Sequence, residues 1–168
     1  VGQALTGTGK TAAFGIPLVE QVDSAQVALQ GLVLVPTREL AMQVRDELIR
    51  LAQYRRLGVV ACYGGQAISK QIAALERRTH IVVGTPGRVL DHLRRGTLRL
   101  GSVRTVVLDE ADEMLDIGFL PDIERILTQT PKNRQTALFS ATMPSLIRRV
   151  VGRHMRSPIW IRIGGEIE

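Results

Sequence analysis

Two short segments of the sequence carry residue types that together suit phosphate and a hard metal ion. The first, Ala4-Leu5-Thr6-Gly7-Thr8-Gly9-Lys10-Thr11, matches the phosphate-loop pattern, with Ala4 in place of the first glycine. The second, Asp109-Glu110-Ala111-Asp112, directly follows the apolar run at 106–108. A phosphate loop followed along the chain by an acidic pair at a strand end predicts a site for a nucleoside triphosphate with Mg²⁺.

The glycine-rich segment has the composition of an anion-binding loop. Gly7 and Gly9 tolerate the dihedral angles with which a loop wraps its N–H groups around phosphate oxygens. A helix that begins near Lys10 would direct its positive end at the same anion. Lys10 would neutralise the β- and γ-phosphates, and the Thr11 hydroxyl would ligate Mg²⁺. The predicted nucleotide-binding residues are Ala4, Thr6, Gly7, Thr8, Gly9, Lys10 and Thr11. The alternative is a glycine-rich turn that caps an ordinary helix.

The acidic pair supplies the second half of the predicted site. Asp109 is the expected contact to Mg²⁺, directly or through water, and the adjacent Glu110 is placed to orient and deprotonate the attacking water. Lys10, Asp109 and Glu110 are therefore the candidate catalytic residues, and Thr11 and Asp109 are the candidate metal contacts. The alternative, a solvated helix start with a favourable dipole, suits Asp112 but not two acids that terminate a buried strand.

Short β-rich runs alternate with helical patterns along the chain. The runs are rich in Val and Leu and alternate weakly, which is typical of strands in a sheet covered on both faces. This order predicts an α/β fold with parallel strands joined by right-handed crossovers. The expected strands are residues 31–35, 58–63, 80–83, 103–108, 136–140 and 159–163, with residues 1–4 as the remainder of a first strand.

Apolar residues spaced by three and four predict the helices between these strands. Thr37 and Thr85 stand where N-caps are expected, and Pro86 occupies the first position of the following helix. Every unusual motif then falls at the carboxyl end of a strand, where open α/β sheets bind their ligands. The three apolar stripes are Leu40, Val44, Leu48 and Leu51; Leu120, Ile123, Ile126 and Leu127; and Leu146, Ile147, Val150 and Val151.

Composition narrows the class of protein. The 168 residues suffice for one domain with a substantial core, and 45% hydrophobic with 23% charged residues is typical of a globular protein. No apolar run approaches the ~20 residues that span a bilayer, so we expect no membrane partner. Cys62 stands alone, which excludes an internal disulfide and fits a reducing, cytoplasmic compartment. The spacing of His80, His92 and His154 indicates no metal site, and we expect surface or capping roles for them.

The charge balance points to a polyanionic partner. The formal net charge is +6, and arginine, which supplies most of the cations, suits bidentate phosphate contacts. Aromatic residues make up only 4% of the chain, so we expect contacts with a nucleic-acid backbone and not a base-stacking platform. The alternative is a solvated surface that reflects genomic base composition.

Four further motifs occur in the sequence: Pro36-Thr37-Arg38-Glu39-Leu40-Ala41, Gly64-Gly65, Thr85-Pro86-Gly87-Arg88 and Ser140-Ala141-Thr142. Together with the phosphate loop and the acidic tetrapeptide, they resemble the first RecA-like domain of DEAD-box RNA helicases in order and approximate spacing, over nearly the whole chain. The resemblance implies a three-layer α/β/α RecA-like phosphate-loop domain with a mainly parallel sheet, formed by residues 1–168 as a single domain. It also implies ATP and Mg²⁺ as cofactors and RNA as a partner.

The resemblance assigns roles to the remaining motifs. An RNA groove that contacts the sugar-phosphate backbone would be lined by Pro36, Thr37, Arg38, Gly64, Gly65, Thr85, Pro86, Gly87 and Arg88. The nucleotide state would be coupled to the RNA side by Asp112, Ser140 and Thr142. Local chemistry can support the groove, because helix starts offer N–H groups, glycines permit close backbone approach and arginines add charge. The alternatives are plain capping for Thr37 and Thr85, a simple turn for the glycine pair, and turn residues for Ser140 and Thr142.

The same family has two parts that we do not find in this sequence. An upstream segment would read adenine, and a second RecA-like domain would supply arginine fingers; we expect residues 1–168 to be truncated at the N-terminus and to end at the interdomain linker. Arginine fingers contribute on the order of a thousandfold or more to phosphoryl transfer, so we expect the isolated chain to have almost no activity. We also expect the isolated chain to be a monomer. Two other functions stay open: a DNA-directed helicase or remodelling motor on the same fold, and a non-catalytic RNA-binding module, which the intact Lys10 and Glu110 disfavour.

Overall fold

Seven short strands form the centre of the molecule in the computed structural model, which describes residues 1–4 and 9–163. These strands are β1 (Gly2–Gln3), β2 (Gly31–Leu34), β3 (Val59–Cys62), β4 (Ile81–Gly84), β5 (Thr105–Leu108), β6 (Gln135–Ser140) and β7 (Ile161–Arg162). They form one sheet in the order β3-β4-β2-β5-β6-β1-β7, and the described strand pairs are all parallel. The predicted α/β fold with a mainly parallel sheet is confirmed.

Helices cover both faces of this sheet. The described helices are α1 (Lys10–Gln21), α2 (Arg38–Leu51), α3 (Ile68–Leu75), α4 (Pro86–Arg95), α5 (Ala111–Ile117), α6 (Leu120–Thr128) and α7 (Ser145–His154). Leu32 and Leu34 of β2 lie in a buried cluster with residues of α4 to α7, whereas Val33 lies in a second cluster with residues of α1 and α2. Successive side chains of a strand point to opposite faces, so these two clusters are the two sides of a three-layer domain.

The central strands β2, β4 and β5 consist of buried residues only. Burial on both faces explains why their sequences are continuous apolar runs without polar alternation. Removing one Val, Leu or Ile side chain from water contributes about 1.5–3 kcal/mol, so these strands supply a large part of the stabilisation of the core.

The helix starts agree in part with the predictions. Thr37 caps α2, because its Oγ1 accepts a hydrogen bond from the Leu40 N–H at 3.2 Å. Thr85 occupies the N-cap position before Pro86, but its side chain makes no capping hydrogen bond. The third apolar stripe is narrower than predicted, since Leu146 at the start of α7 is 37% exposed. None of the helices in the described residues is long and apolar enough to cross a membrane.

Two histidines differ from the expectation of surface or capping roles. His80 and His92 are both 0% exposed, whereas His154 is half-buried with its Nε2 3.9 Å from Glu124 Oε1. His80 directly precedes β4, and its Nδ1 accepts a hydrogen bond from the Gly58 N–H at 2.9 Å. The expectation was wrong because burial of a polar ring depends on segments that pack over it from elsewhere in the chain.

Candidate functional site

The carboxyl edge of the sheet carries the predicted motifs that the structure describes. The strands β3, β4, β2, β5 and β6, which are neighbours in this order in the sheet, end at about the same level. Gly84 pairs with Cys62 and Leu34, and Leu108 pairs with Leu34 and Leu138. The segments that follow these strands therefore lie along one line. The groove motifs follow β3, β4 and β2, and the acidic and Ser-Ala-Thr motifs follow β5 and β6.

The predicted phosphate loop falls partly outside the described residues. Thr6, Gly7 and Thr8 lie in the segment 5–8, of which the structure gives no description. On one side of this segment, Ala4 is buried and donates its N–H to the Ser140 carbonyl at 3.2 Å. On the other side, Gly9 caps α1 with a φ of 80°, a left-handed conformation that favours glycine. The loop thus connects the end of β1, next to β6, to the first turn of α1.

Lys10 and Asp109 meet at this edge although they are distant in sequence. The Lys10 Nζ lies 3.9 Å from the Asp109 Oδ1, and the two side chains are only 9% and 4% exposed. Thr11 follows in the first turn of α1 and is half-buried. The structure therefore brings together the lysine of the first predicted half-site and the carboxylate of the second.

The turn after β5 is strained and strongly acidic. Asp109 Oδ1 accepts a hydrogen bond from the Glu110 N–H at 3.0 Å, and burial raises the pKa of Asp109 against the opposing effect of Lys10. Glu110 has a φ of 53°, which costs a non-glycine residue about 1–3 kcal/mol. Burial, a hydrogen bond with Glu113 and the charge of Asp109 raise the pKa of Glu110 to about 7. Backbone strain and a perturbed carboxylate in one turn are typical of functional sites.

A cleft of about 200 Å³ opens beside this turn and is lined by Lys10, Glu110, Asp112, Glu113, Asp116 and Ala141. Asp112 connects the start of α5 to the end of β6, because its N–H donates to Ser140 Oγ at 3.1 Å. Its Oδ2 accepts hydrogen bonds from the N–H and the Oγ1 of Thr142, both at 2.9 Å. Burial acts to raise the pKa of Asp112, but the hydrogen bonds outweigh it, so that the pKa is lowered. The three residues are in contact, and their coupling role stays a prediction.

The groove half of the edge, which consists of the turns after β2, β3 and β4, presents two arginines and three exposed glycines. The Arg38 Cζ lies 5.4 Å from the centre of the Tyr63 ring, and a Cβ on Gly65 would stand 3.5 Å from Arg38 Nη1. Gly64 and Gly87 face open space. Of the other predicted groove residues, Arg88 is half-buried, Thr37 uses its hydroxyl as a cap, and Pro36, Thr85 and Pro86 are buried. The accessible chemistry is therefore guanidinium groups beside exposed backbone, which suits phosphate.

The sequence reasoning missed Gln71 and His92, both of which contact this half of the edge. Gln71 is 1% exposed on α3, and its Oε1 lies 3.1 Å from Arg88 Nη1. A signal was present, because Ile68, Gln71, Ile72 and Leu75 have the spacing of one helical face. A glutamine on an otherwise apolar face predicts a buried, hydrogen-bonded amide.

The parallel strand pairs described, the three layers and the lysine–carboxylate pair at the carboxyl edge are features of a RecA-like domain. The chain matches the DEAD/DEAH box helicase family model over residues 1–150, and it belongs to that family. It is 57% identical over 163 residues to the DEAD-box ATP-dependent RNA helicase CshA of Bacillus cereus, covering 97% of this chain and 31% of that protein. It is 58% identical to CshA of Geobacillus kaustophilus, covering 97% and 35%. The chain thus spans about a third of the length of these curated relatives.

Solved structures share this fold. A DEAD box protein from the hyperthermophile Methanococcus jannaschii is similar with a TM-score of 0.92 and 48% identity, covering 96% of this chain and 44% of that chain. The yeast DEAD-box splicing factor Prp28 is similar with a TM-score of 0.91 and 34% identity, covering 99% and 41%. These likenesses confirm the predicted RecA-like fold.

Proposed function

We propose that the chain is the first RecA-like domain of an ATP-dependent RNA helicase, in which ATP with Mg²⁺ and an RNA backbone bind at neighbouring parts of one sheet edge. The observation that carries the proposal is the Lys10–Asp109 pair, 3.9 Å apart at the edge that also presents Arg38 and Arg88. The printed names of relatives 57–58% identical, DEAD-box ATP-dependent RNA helicases, support ATP and RNA as substrates. Residues 1–168 would act as one domain together with a second RecA-like domain, and the pair would open short RNA duplexes locally.

The residues at this edge suit Mg²⁺ as part of a nucleotide complex. Mg²⁺ is usually held by one or two carboxylates together with substrate phosphates. Asp109 would supply a carboxylate and Thr11 a hydroxyl. Burial raises the pKa of Asp109, so a divalent cation would stabilise its charged form. When bound, Mg²⁺ would neutralise charge on the β- and γ-phosphates.

The protein groups would bind the triphosphate and prepare water for attack. The first turn of α1 offers N–H groups without intrahelical partners, and Lys10 would add its ammonium to the same phosphates. Glu110 would orient the attacking water and accept its proton, since a carboxylate whose pKa is raised towards neutrality is a stronger base than an ordinary glutamate. Ala4, Thr6, Gly7, Thr8 and Gly9 would surround the phosphates in the same proposal.

The groove half would bind RNA without reading its sequence. Arg38 and Arg88 would contact phosphates, while Gly64, Gly65 and Gly87 would let the RNA backbone approach the protein backbone closely. Contacts to sugar and phosphate, including the 2′-OH, distinguish RNA from DNA without base recognition. The hydrogen bond that the Asp112 N–H donates to Ser140 Oγ, and the one that Asp112 Oδ2 accepts from Thr142 Oγ1, would transmit the nucleotide state from the turn after β5 to the turn after β6.

The test uses a protein that carries this chain together with the second RecA-like domain. Lys10→Ala should weaken the binding of a fluorescent ATP analogue, whereas Glu110→Gln should keep ATP and RNA binding and stall ATP turnover. Lys132→Ala, which changes an exposed lysine in the loop before β6, is the matched control. Residues 1–168 alone should bind nucleotide weakly and turn it over hardly at all, because the arginine fingers of the partner domain are needed.

Each outcome separates the candidate functions. Equal ATP affinity in Lys10→Ala and Lys132→Ala would refute the role of Lys10. Turnover stimulated by DNA but not by RNA would favour a DNA-directed motor, and RNA binding without turnover in the unmodified protein would favour a non-catalytic module. Appreciable RNA-stimulated turnover by residues 1–168 alone would contradict the need for a second domain.

A further inference from the structure

One buried amide joins two segments of the proposed RNA groove. Gln71 of α3 is 1% exposed, and its Nε2 donates to the Tyr63 carbonyl at 2.8 Å. Its Oε1 lies 3.1 Å from Arg88 Nη1 and 2.9 Å from His92 Nε2. Tyr63 directly precedes the Gly64-Gly65 pair, and Arg88 lies in the first turn of α4. A single side chain therefore ties the end of β3 to the start of α4.

The donors and acceptors around Gln71 permit one consistent arrangement. A guanidinium only donates, so the Gln71 atom that faces Arg88 is the oxygen, and the nitrogen faces the Tyr63 carbonyl. The same oxygen faces His92 Nε2, so His92 donates from that nitrogen. Burial first, and the charge of Arg88 second, lower the pKa of His92 below its usual 6.5, which favours the neutral ring at pH 7. In the neutral ring Nδ1 accepts from the Thr97 hydroxyl at 2.8 Å, and that single hydroxyl proton is then not donated to the His92 carbonyl, 3.1 Å away.

Arg88 is held at one nitrogen of its guanidinium group. Its Nη1 donates to the Gln66 carbonyl at 2.9 Å as well as to Gln71. In residues 1–4 and 9–163, the hydrogen bonds found for this side chain all involve Nη1, and none of the ion pairs includes Arg88. A guanidinium fixed in this way at Nη1 keeps Nε and Nη2 as further donors with which it could contact a phosphate in a set direction.

We propose that Gln71 is a positioning residue of the RNA groove, which holds the Arg88 guanidinium and the backbone beside Gly64 in one arrangement before RNA binds. The inference rests on the proposed function and adds a residue that does not itself touch RNA. Without this anchor, the arginine would lose side-chain freedom at the moment of binding, and that loss would weaken the complex. His92 belongs to the same hydrogen-bond network, because its Nε2 donates to the second lone pair of the Gln71 oxygen.

The substitution Gln71→Met removes both polar atoms at nearly constant volume. In the protein that carries both domains, the RNA concentration for half-maximal ATPase stimulation should rise on the order of 3- to 10-fold, because one oriented phosphate contact is weakened. The change in kcat should be smaller than this. Gln53→Met, at an exposed glutamine beyond α2, is the matched control. Gln71→Met combined with Arg88→Ala should need less RNA than the sum of the two single effects predicts, since Gln71 acts in part through Arg88.

A merely structural role for Gln71 would give a different pattern. Gln71→Met would then lower the melting temperature but leave the half-saturating RNA concentration at the value of Gln53→Met. That result, or full additivity with Arg88→Ala, overturns the inference and leaves the proposed function standing. If the unmodified protein shows neither RNA binding nor RNA-stimulated turnover, the proposed function fails, and this inference fails with it.

A measurement on the unmodified chain tests the arrangement even if Gln71→Met does not fold. In ¹⁵N NMR spectra, His92 should be the neutral tautomer with its proton on Nε2, and the Arg88 guanidinium should rotate more slowly than that of the exposed Arg94. A proton on Nδ1 of His92, or equal rotation of the two guanidinium groups, overturns the inference.

Discussion

One of the two hydrogen bonds that Thr142 donates to the Asp112 carboxylate can be removed selectively. The N–H and the Oγ1 of Thr142 both lie 2.9 Å from Asp112 Oδ2. Thr142→Val removes only the hydroxyl and keeps the shape of the side chain. A hydrogen bond to a charged group contributes about 1.5–3 kcal/mol in protected surroundings. Because Thr142 is exposed, screening by solvent reduces the expected loss to about 1 kcal/mol.

Urea unfolding of residues 1–168 measures this loss. At pH 7 the midpoint for Thr142→Val should fall at unchanged m-value, and the melting temperature should drop by roughly 2–4 °C for a chain of this size. Thr142→Ser keeps the hydroxyl and is the matched control, which should stay within about 0.5 kcal/mol of the parent. Equal unfolding of the Val and Ser variants would refute the assignment of the bond.

The same pair makes a pH-dependent prediction. Burial acts to raise the pKa of Asp112, but the hydrogen bonds from Thr142 and Ser140 hold it below the ordinary 3.8. The folded state therefore binds fewer protons than the unfolded state, and the stabilisation is present above the unfolded pKa and is lost as the pH falls through the folded one. The difference between the parent and Thr142→Val should shrink below about pH 4. A difference that persists undiminished in acid would contradict this reasoning.

Two further predictions concern stability. Burial first, then the charge of Arg78, lower the pKa of His80 below 6.5 against the opposing effects of Ser24 and Asp23. Because the folded state then binds fewer protons than the unfolded state, the free energy of unfolding should decrease as the pH falls below 6.5. His80→Asn retains an acceptor for the Gly58 N–H and should flatten this acid dependence, measured as the free energy of unfolding against pH. An unchanged slope would exclude His80 as the source of the acid dependence. A Cβ on Gly58 would lie 1.6 Å from the Arg78 carbonyl oxygen, so Gly58→Ala should destabilise the fold by about 3 kcal/mol or more. Gly152→Ala places a Cβ in open space within α7 and should instead stabilise the fold by about 0.5–1 kcal/mol. Equal effects of Gly58→Ala and Gly152→Ala on the free energy of unfolding in urea would count against the packing described around Gly58.

Much of the architecture could be predicted because its signals are local. The apolar runs at 31–35, 58–63 and 103–108 correspond to β2, β3 and β5 with ends shifted by one or two residues. The cap at Thr37 and the proline at the start of α4 were also placed correctly, since capping involves only the next few residues. Position at a strand end, and hence at the carboxyl edge, followed from the same local patterns.

Other features depend on segments that meet only in the folded chain. Strand order sets β5 beside β6 and β6 beside β1, and this order brings Lys10 within 3.9 Å of Asp109. The left-handed backbone at Glu110 and its raised pKa arise from the packing of the turn after β5. Neither quantity can be read from spacing along the chain.

By itself, the sequence determined the fold class, the order of the elements and the residue types available at each strand end, because periodicity and capping record interactions between near neighbours. The tertiary structure alone decided which of those ends are neighbours and which polar side chains pair with each other across the chain. Gln71 and His92 show the difference: only the folded chain brings the amide of α3 within hydrogen-bond distance of the imidazole and the guanidinium of α4. Pairing between distant segments results from the packing of the whole chain, and no local pattern encodes it.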